Sequence, residues 1–239
     1  MNQSARRINL LAAGLRAQKY LEVGVDKGLT FADVKIKERT AVDPQFKFDP
    51  TPFVNENTEF HEQTSDHFFS EIEIETIFDL LFIDGLHQFE QVVRDFSNAI
   101  IHSHPRSVII LDDTKPNDIY SASPLPEETL KFRRLTGSQD TSWHGDVYKV
   151  VFYIHDFWPA LNYRTIVGSG NPQTLVWRSK NFNRKPLLNN LESISRISYY
   201  QLMKNIIVLR ECDEGIAIAE VLEELTGINP IELASGVKS

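Results

Sequence analysis

An α/β fold built on a mostly parallel central sheet, with helices on both faces, is what this sequence predicts, from three observations. Short apolar runs alternate with stretches of helical period, the pattern of strands joined by crossover helices. Four of those runs, "KYLEVGV" at 19–25, "RTAVD" at 39–43, "FDLLFID" at 78–84 and "SVIILDD" at 107–113, finish on or near a carboxylate. Between the last two, Leu86, Phe89, Val93, Phe96 and Ile100 recur at three- or four-residue steps, so an amphipathic helix should join them in a βαβ unit.

The remaining elements follow in order. "ARRINLLAAGLRAQ" predicts an N-terminal helix ahead of the first strand. From 114 to 144 the prolines Pro116, Pro124 and Pro126, then Gly137 and "SQDTSWHG", mark a long loop of the kind that covers or lines a site, with "PEETLKFRRL" adding a short helix. "GDVYKVVFYIHDFW" at 145–158 predicts a helix, and "NYRTIVGS" and "QTLVWRS" a closing pair of strands. Beyond about 180 the chain turns polar and helical, with "SYYQLMKNIIVLREC" and "IAIAEVLEELTG" before a weak tail. The expected organisation is one main domain over 1–180 and a helical C-terminal extension of it over 181–239.

Bulk composition narrows the function. At 239 residues the chain builds one sizeable core, and 41% hydrophobic with 24% charged residues is ordinary globular usage. A formal net charge of −8 argues against a protein whose main partner is nucleic acid; the one dense basic patch, "KFRR" at 131–134, is expected to be a solvated helix face. No apolar run reaches the roughly 20 residues that a membrane helix needs. The single cysteine, Cys212, forms no internal disulfide and is expected on a helix, which together suggest a cytoplasmic protein with no membrane partner. His61, His67, His102 and His104 are expected on the surface or in loops.

The first strand ends in Glu22, followed by Gly24 and Gly28, which let the backbone turn tightly and approach a ligand beside a helix N-terminus. The stretch "GVDKGL" is not the G-x-G-x-x-G of dinucleotide sites. Asp43 ends the second run 21 positions after Glu22, where a Rossmann-like fold places the carboxylate that holds ribose hydroxyls; its alternative role is a turn residue before Pro44. Asp84 and the pair Asp112 and Asp113 stand at the tips of what should be neighbouring strands. Carboxylates so crowded repel each other unless a cation sits among them, and oxygen ligands suit a hard ion such as Mg²⁺; capping of turns is the alternative.

The acid-x-Gly-x-x-x-Gly stretch resembles the first motif of class I S-adenosylmethionine (SAM) dependent methyltransferases, which have a Rossmann-like fold. "IDGLHQFEQVVRDF" followed by "VIILDD" resembles, within that class, the metal-dependent sugar O-methyltransferases of macrolide biosynthesis and related natural-product enzymes. The likeness covers residues 18 to 115 well and the remainder loosely; "HSHPRS" departs from the Gly-rich turn expected before the fifth strand. It implies SAM at Glu22, Gly24, Gly28, Asp43 and Asp84, with adenine near Ser65 and Asp66 in "EQTSDHFF". It further implies Mg²⁺ on Asp84, Asp112 and Asp113, His87 as general base, and a sugar or glycosylated metabolite as acceptor. Trp143, His144 and Tyr148 are candidates for acceptor contact. Two other classes stay open: a dinucleotide or nucleotide-sugar enzyme, and a SAM-binding module without turnover. The terminal helices either cover the substrate mouth or pair subunits in a homo-oligomer.

Overall fold

The computed structural model describes residues 2–180 and 184–227. Its centre is an eight-stranded sheet: β1 (Lys19–Val23), β2 (Glu38–Asp43), β3 (Thr58–Glu62), β4 (Phe78–Ile83), β5 (Ser103–Leu111), β6 (Leu161–Ile166), β7 (Gln173–Arg178) and β8 (Glu211–Cys212). The spatial order is β3-β2-β1-β4-β5-β7-β6-β8. Strands from β3 to β5 pair in parallel, and β7 enters antiparallel between β5 and β6. The chain leaves β1 toward one edge and returns through β4 toward the other, so the crevice between those two strands is where an open sheet of this kind accepts ligands.

Alternation along the strands assigns side chains to two cores. Leu21, Val23, Leu81, Ile83, Ile109 and Leu111 face α4 (Phe89–Ile101) and α6 (Tyr148–Phe157). Tyr20, Leu80, Phe82, Val108 and Ile110 face α1 (Gln3–Leu15), α2 (Leu29–Asp33) and α9 (Glu214–Thr226). Each such side chain, fully buried, contributes roughly 1.5–3 kcal/mol. Within α4, Val92, Phe96 and Ala99 form the buried stripe. The helix α3 (Ser65–Glu71) follows β3, the short helix α5 (Pro126–Thr136) sits in the long loop, and α7 (Leu191–Ser195) and α8 (Tyr199–Lys204) precede β8.

Several expectations need correction. β3 and β8 are additional strands: β3 is a polar edge strand with only one of its five side chains buried, and β8 is two residues long. Cys212 therefore lies in β8, opposite Ile166, and not on a helix. "HSHPRS" belongs largely to β5, which begins at Ser103 and has an irregular register against Phe78 and Leu80. Leu86 is 48% exposed in the turn before α4, whose first buried residue is Phe89. Arg133 of "KFRR" is buried and ion-paired with Asp118 and Asp140, pinning the 118–142 loop. His102 is buried too, its Nδ1 2.8 Å from the Thr76 carbonyl and its ring stacked on Phe69. α9 packs against α1, and the expected tail at 228–239 lies outside the described residues. No helix among the described residues is long and apolar enough to cross a membrane.

Candidate active site

Strand register stacks the carboxylates at one end of the sheet. The Asp84 N–H donates to the Val23 carbonyl (2.8 Å), Gly24 N–H to Val42 (2.9 Å) and Asp112 N–H to Ile83 (3.0 Å), so β1, β2, β4 and β5 finish side by side. Above them opens a cavity of about 1130 Å³. That volume exceeds the roughly 300–1,000 Å³ of an ordinary small-molecule pocket and leaves room for two ligands together.

One end of the cavity is built on β1 and β2. Glu22 is buried, and the Tyr20 hydroxyl donates to its Oε2 at 2.6 Å. Burial pushes the Glu22 carboxyl up to about 8, against the opposing effects of Tyr20 and Arg39. Gly24 has φ +86°, and a Cβ at this position would overlap the Asp84 carbonyl, so the β1 turn lies directly on the end of β4. Asp43 accepts from the Asp26 N–H and the Gln45 N–H, both at 2.8 Å. These bonds fix its carboxylate at the cavity wall while each oxygen keeps lone-pair capacity for a hydroxyl. Ser65 opens α3 and accepts from Gln91 Nε2 at 3.1 Å; Asp66 pairs with Arg94 at 3.1 Å. Both reach the cavity, as does Gln91. Gly28 does not line it: this residue is the left-handed cap of α2, and a Cβ there would meet the Phe48 ring at 3.0 Å.

At the other end Asp84, His87, Asp112 and Asp113 converge. The His87 ring lies between two carboxylates, Nε2 3.4 Å from Asp84 Oδ1 and Nδ1 3.1 Å from Asp113 Oδ2. Nδ1 is also 3.1 Å from the Trp143 carbonyl, and the Trp143 ring stacks on the imidazole at 4.9 Å. Burial opposes a charge on His87, but Asp84 and Asp113 overcome it and push the ring up to about 9. Burial, then repulsion from neighbouring acids, also raises Asp84 and Asp113. These groups interact closely enough that their protons come off as those of one cluster and not of separate residues. Asp113 has φ +57°, a backbone conformation costly for a non-glycine residue and found where surroundings over-determine it.

Asp84, His87 and Asp113 each offer one ligand atom, all within 4.8 Å of one another. Crowded oxygen donors with one imidazole, raised in proton affinity by mutual repulsion, fit a hard divalent cation. Asp112 stands apart from that triplet: its Oδ1 accepts from the Asp113 N–H at 2.9 Å and from Gln173 Nε2 at 3.2 Å.

The loop at 142–146 closes this end. His144 is buried, with Nε2 3.8 Å from Asp113 Oδ1, and burial together with the charge on His87 pulls it down to about 4. Gly145 has φ +62°, and a Cβ there would overlap the His87 carbonyl, so loop and strand tip are in backbone contact. Asp146 Oδ1 then caps α4 through the Phe89 N–H at 2.7 Å. Trp143 and His144 line the cavity. Tyr148 does not: it is a core residue whose hydroxyl donates to the Ile197 carbonyl at 2.8 Å. Residues not singled out from the sequence complete the walls, among them Asn2, Gln3 and Ser4 at the start of α1, and Asn171. Only Gln91 carried a local signal, lying four positions after His87, in the first turn of α4.

Residues 11–114 match the family model described as "Methyltransferase domain". No curated protein matches the chain. Among solved structures, cofactor-bound Rv0187 from MTB aligns with a TM-score of 0.52 at 17% identity, over 76% of this chain and 82% of that one. The O-methyltransferase from Bacillus cereus in complex with SAH aligns with a TM-score of 0.49 at 18% identity, over 74% and 80%. At 17% identity the likeness to Rv0187 is one of fold.

Proposed function

We propose that this chain is a SAM-dependent O-methyltransferase, assisted by Mg²⁺, acting on a hydroxyl of a sugar or other small natural product, a reading supported by the match of residues 11–114 to a methyltransferase-domain model. The observation that carries the proposal is the continuity of one cavity from Asp43 and Gly24 to the Asp84, His87 and Asp113 cluster. A dinucleotide enzyme is disfavoured by the glycine spacing. The single cysteine suits a reducing, cytoplasmic setting.

Glu22, Gly24, Asp43, Ser65 and Asp66 would hold the donor, which supplies an electrophilic methyl group. Asp84 and Asp113, with Asp112 beside them, would hold the divalent cation, which lowers the pKa of an alcohol bound near it. The chain itself fixes the reactants: Asp43 is immobilised by two backbone donors, and the contacts of Gly24 and Gly145 set the strand tips and the loop in one arrangement. Trp143 and the loop shield the cluster from water on one side. His87 receives the hydroxyl proton at Nε2, the ring nitrogen not aimed at the Trp143 carbonyl. Planar amides and hydroxyls at Asn2, Gln3, Ser4, Ser142 and Asn171 suit an acceptor rich in hydroxyls.

The test is transfer of labelled methyl from SAM to a panel of free and glycoside-linked sugars, with Mg²⁺ or with chelator. Metal-dependent labelling of a hydroxyl is the expected result, and Asp112→Asn should remove it while SAM affinity stays within a few fold. Metal-independent transfer, or transfer to nitrogen alone, contradicts the proposal.

A further inference from the structure

Arg7 is the most deeply buried cation among the described residues, at 0% exposure, and it lies on α1 rather than on a strand. Desolvating a guanidinium costs several kcal/mol unless its donors are used, and here they are. Nε donates to Glu214 Oε2 at 3.0 Å, at the start of α9. NH1 donates to the Asn171 carbonyl and to Gln173 Oε1, each at 2.8 Å, and NH2 to the Ser169 carbonyl. One side chain thus ties both terminal helices to the turn before β7.

The consequence for the site runs through the Gln173 amide. With Oε1 held by Arg7, the amide can only present Nε2 to its other side, where it donates to Ser4 Oγ at 2.7 Å and to Asp112 Oδ1 at 3.2 Å. Oδ1 also takes the Asp113 N–H, and the Asn171 side chain hydrogen-bonds the same carboxylate, so Gln173 is one of three donors that fix the rotation of Asp112 about its last bond. Without Arg7 the amide could turn over and set an oxygen against that carboxylate.

We propose that Arg7, acting through Gln173, is the positioning pair for Asp112, so that the docked N- and C-terminal helices hold this carboxylate beside the Asp84, His87 and Asp113 triplet. This rests on the reading of Asp84, Asp112 and Asp113 as metal residues. Partners of this kind typically change metal affinity by 10- to 100-fold.

The experiment titrates the full chain with Mn²⁺, followed by the resonance signal of the free ion, and separately with S-adenosylhomocysteine (SAH). Gln173→Met keeps the shape and loses the donor; the expected result is at least a tenfold weaker Mn²⁺ site with SAH affinity within about twofold. Gln173→Glu sets a carboxylate against Asp112 and weakens Mn²⁺ further, again sparing SAH. Arg7→Lys keeps a charge but not the fork that holds Asn171 and Gln173 together, and should fall between wild type and Gln173→Met. Wild-type Mn²⁺ affinity in both Gln173 variants overturns the positioning role alone. Parallel loss of Mn²⁺ and SAH binding makes Gln173 a general structural residue and overturns it as well. A wild-type protein that binds SAH but no Mn²⁺ overturns the metal reading and the pair with it.

Discussion

Asp95 offers a quantitative test of the packing beside the cavity. It sits on the buried face of α4 at 1% exposure, Oδ1 accepting from Gln91 Nε2 at 3.0 Å, with the Ser65 side chain beside the carboxylate. Burial pushes this carboxyl from the ordinary 3.8 up to about 6, with Ser65 and Gln91 only partly offsetting it. The shift of about two units corresponds to roughly 3 kcal/mol. Its sign follows from linkage: the folded state holds the proton more tightly, so the stabilisation is complete below about pH 4 and is lost as pH rises to about 6. Asp95→Asn keeps the acceptor for Gln91 and removes the ionisation. Urea unfolding should show the variant and wild type converging near pH 4, with the variant more stable by up to about 3 kcal/mol above pH 6, or roughly 6 to 12 °C in Tm. A difference that does not vary with pH, or a variant less stable at pH 7, would refute the assignment of Asp95 as a carboxylate strained by burial.

Other perturbations address the chemistry. His87→Ala should slow methyl transfer by roughly 10² to 10⁴ while SAH binding persists; a near-normal rate removes His87 from proton transfer. Gly24→Ala places a methyl group into the Asp84 carbonyl at a positive φ and should abolish SAH binding measured by calorimetry; retained affinity would mean that the β1 turn does not contact the donor. Because His87 is raised to about 9 and must lose its proton to serve as ligand or base, Mn²⁺ affinity should rise with pH between 6 and 8, by up to about tenfold per unit. A flat profile over that range would separate His87 from the metal cluster.

What was legible in the sequence was what strand and helix periodicity encodes. The parallel strands β1, β2, β4 and β5 announced themselves because both faces are buried and their tips carry acids. The cavity accordingly gathers Glu22, Gly24, Asp43, Ser65, Asp66, Asp84, His87, Asp112, Asp113, Trp143 and His144. β3 was hidden because Thr58–Glu62 is an edge strand with no apolar run, and β8 because two residues carry no period. Tyr148 looked like a neighbour of His144, but the turn at Gly145 starts a helix that carries it into the core. Arg7 and Gln173 could not be linked from sequence at all. They lie 166 positions apart, on elements whose docking is decided by tertiary packing.

The most direct test of the SAM-dependent assignment is a thermal melt with SAH, with NAD⁺ and with neither, each in Mg²⁺ and in chelator. A ligand at about 100 times its Kd adds roughly 2.7 kcal/mol, so SAH alone should raise the midpoint by about 5 to 10 °C and NAD⁺ should leave it unchanged. No shift with SAH, or a shift with NAD⁺ in its place, would contradict the roles given to Glu22, Gly24 and Asp43 and the mechanism built on them.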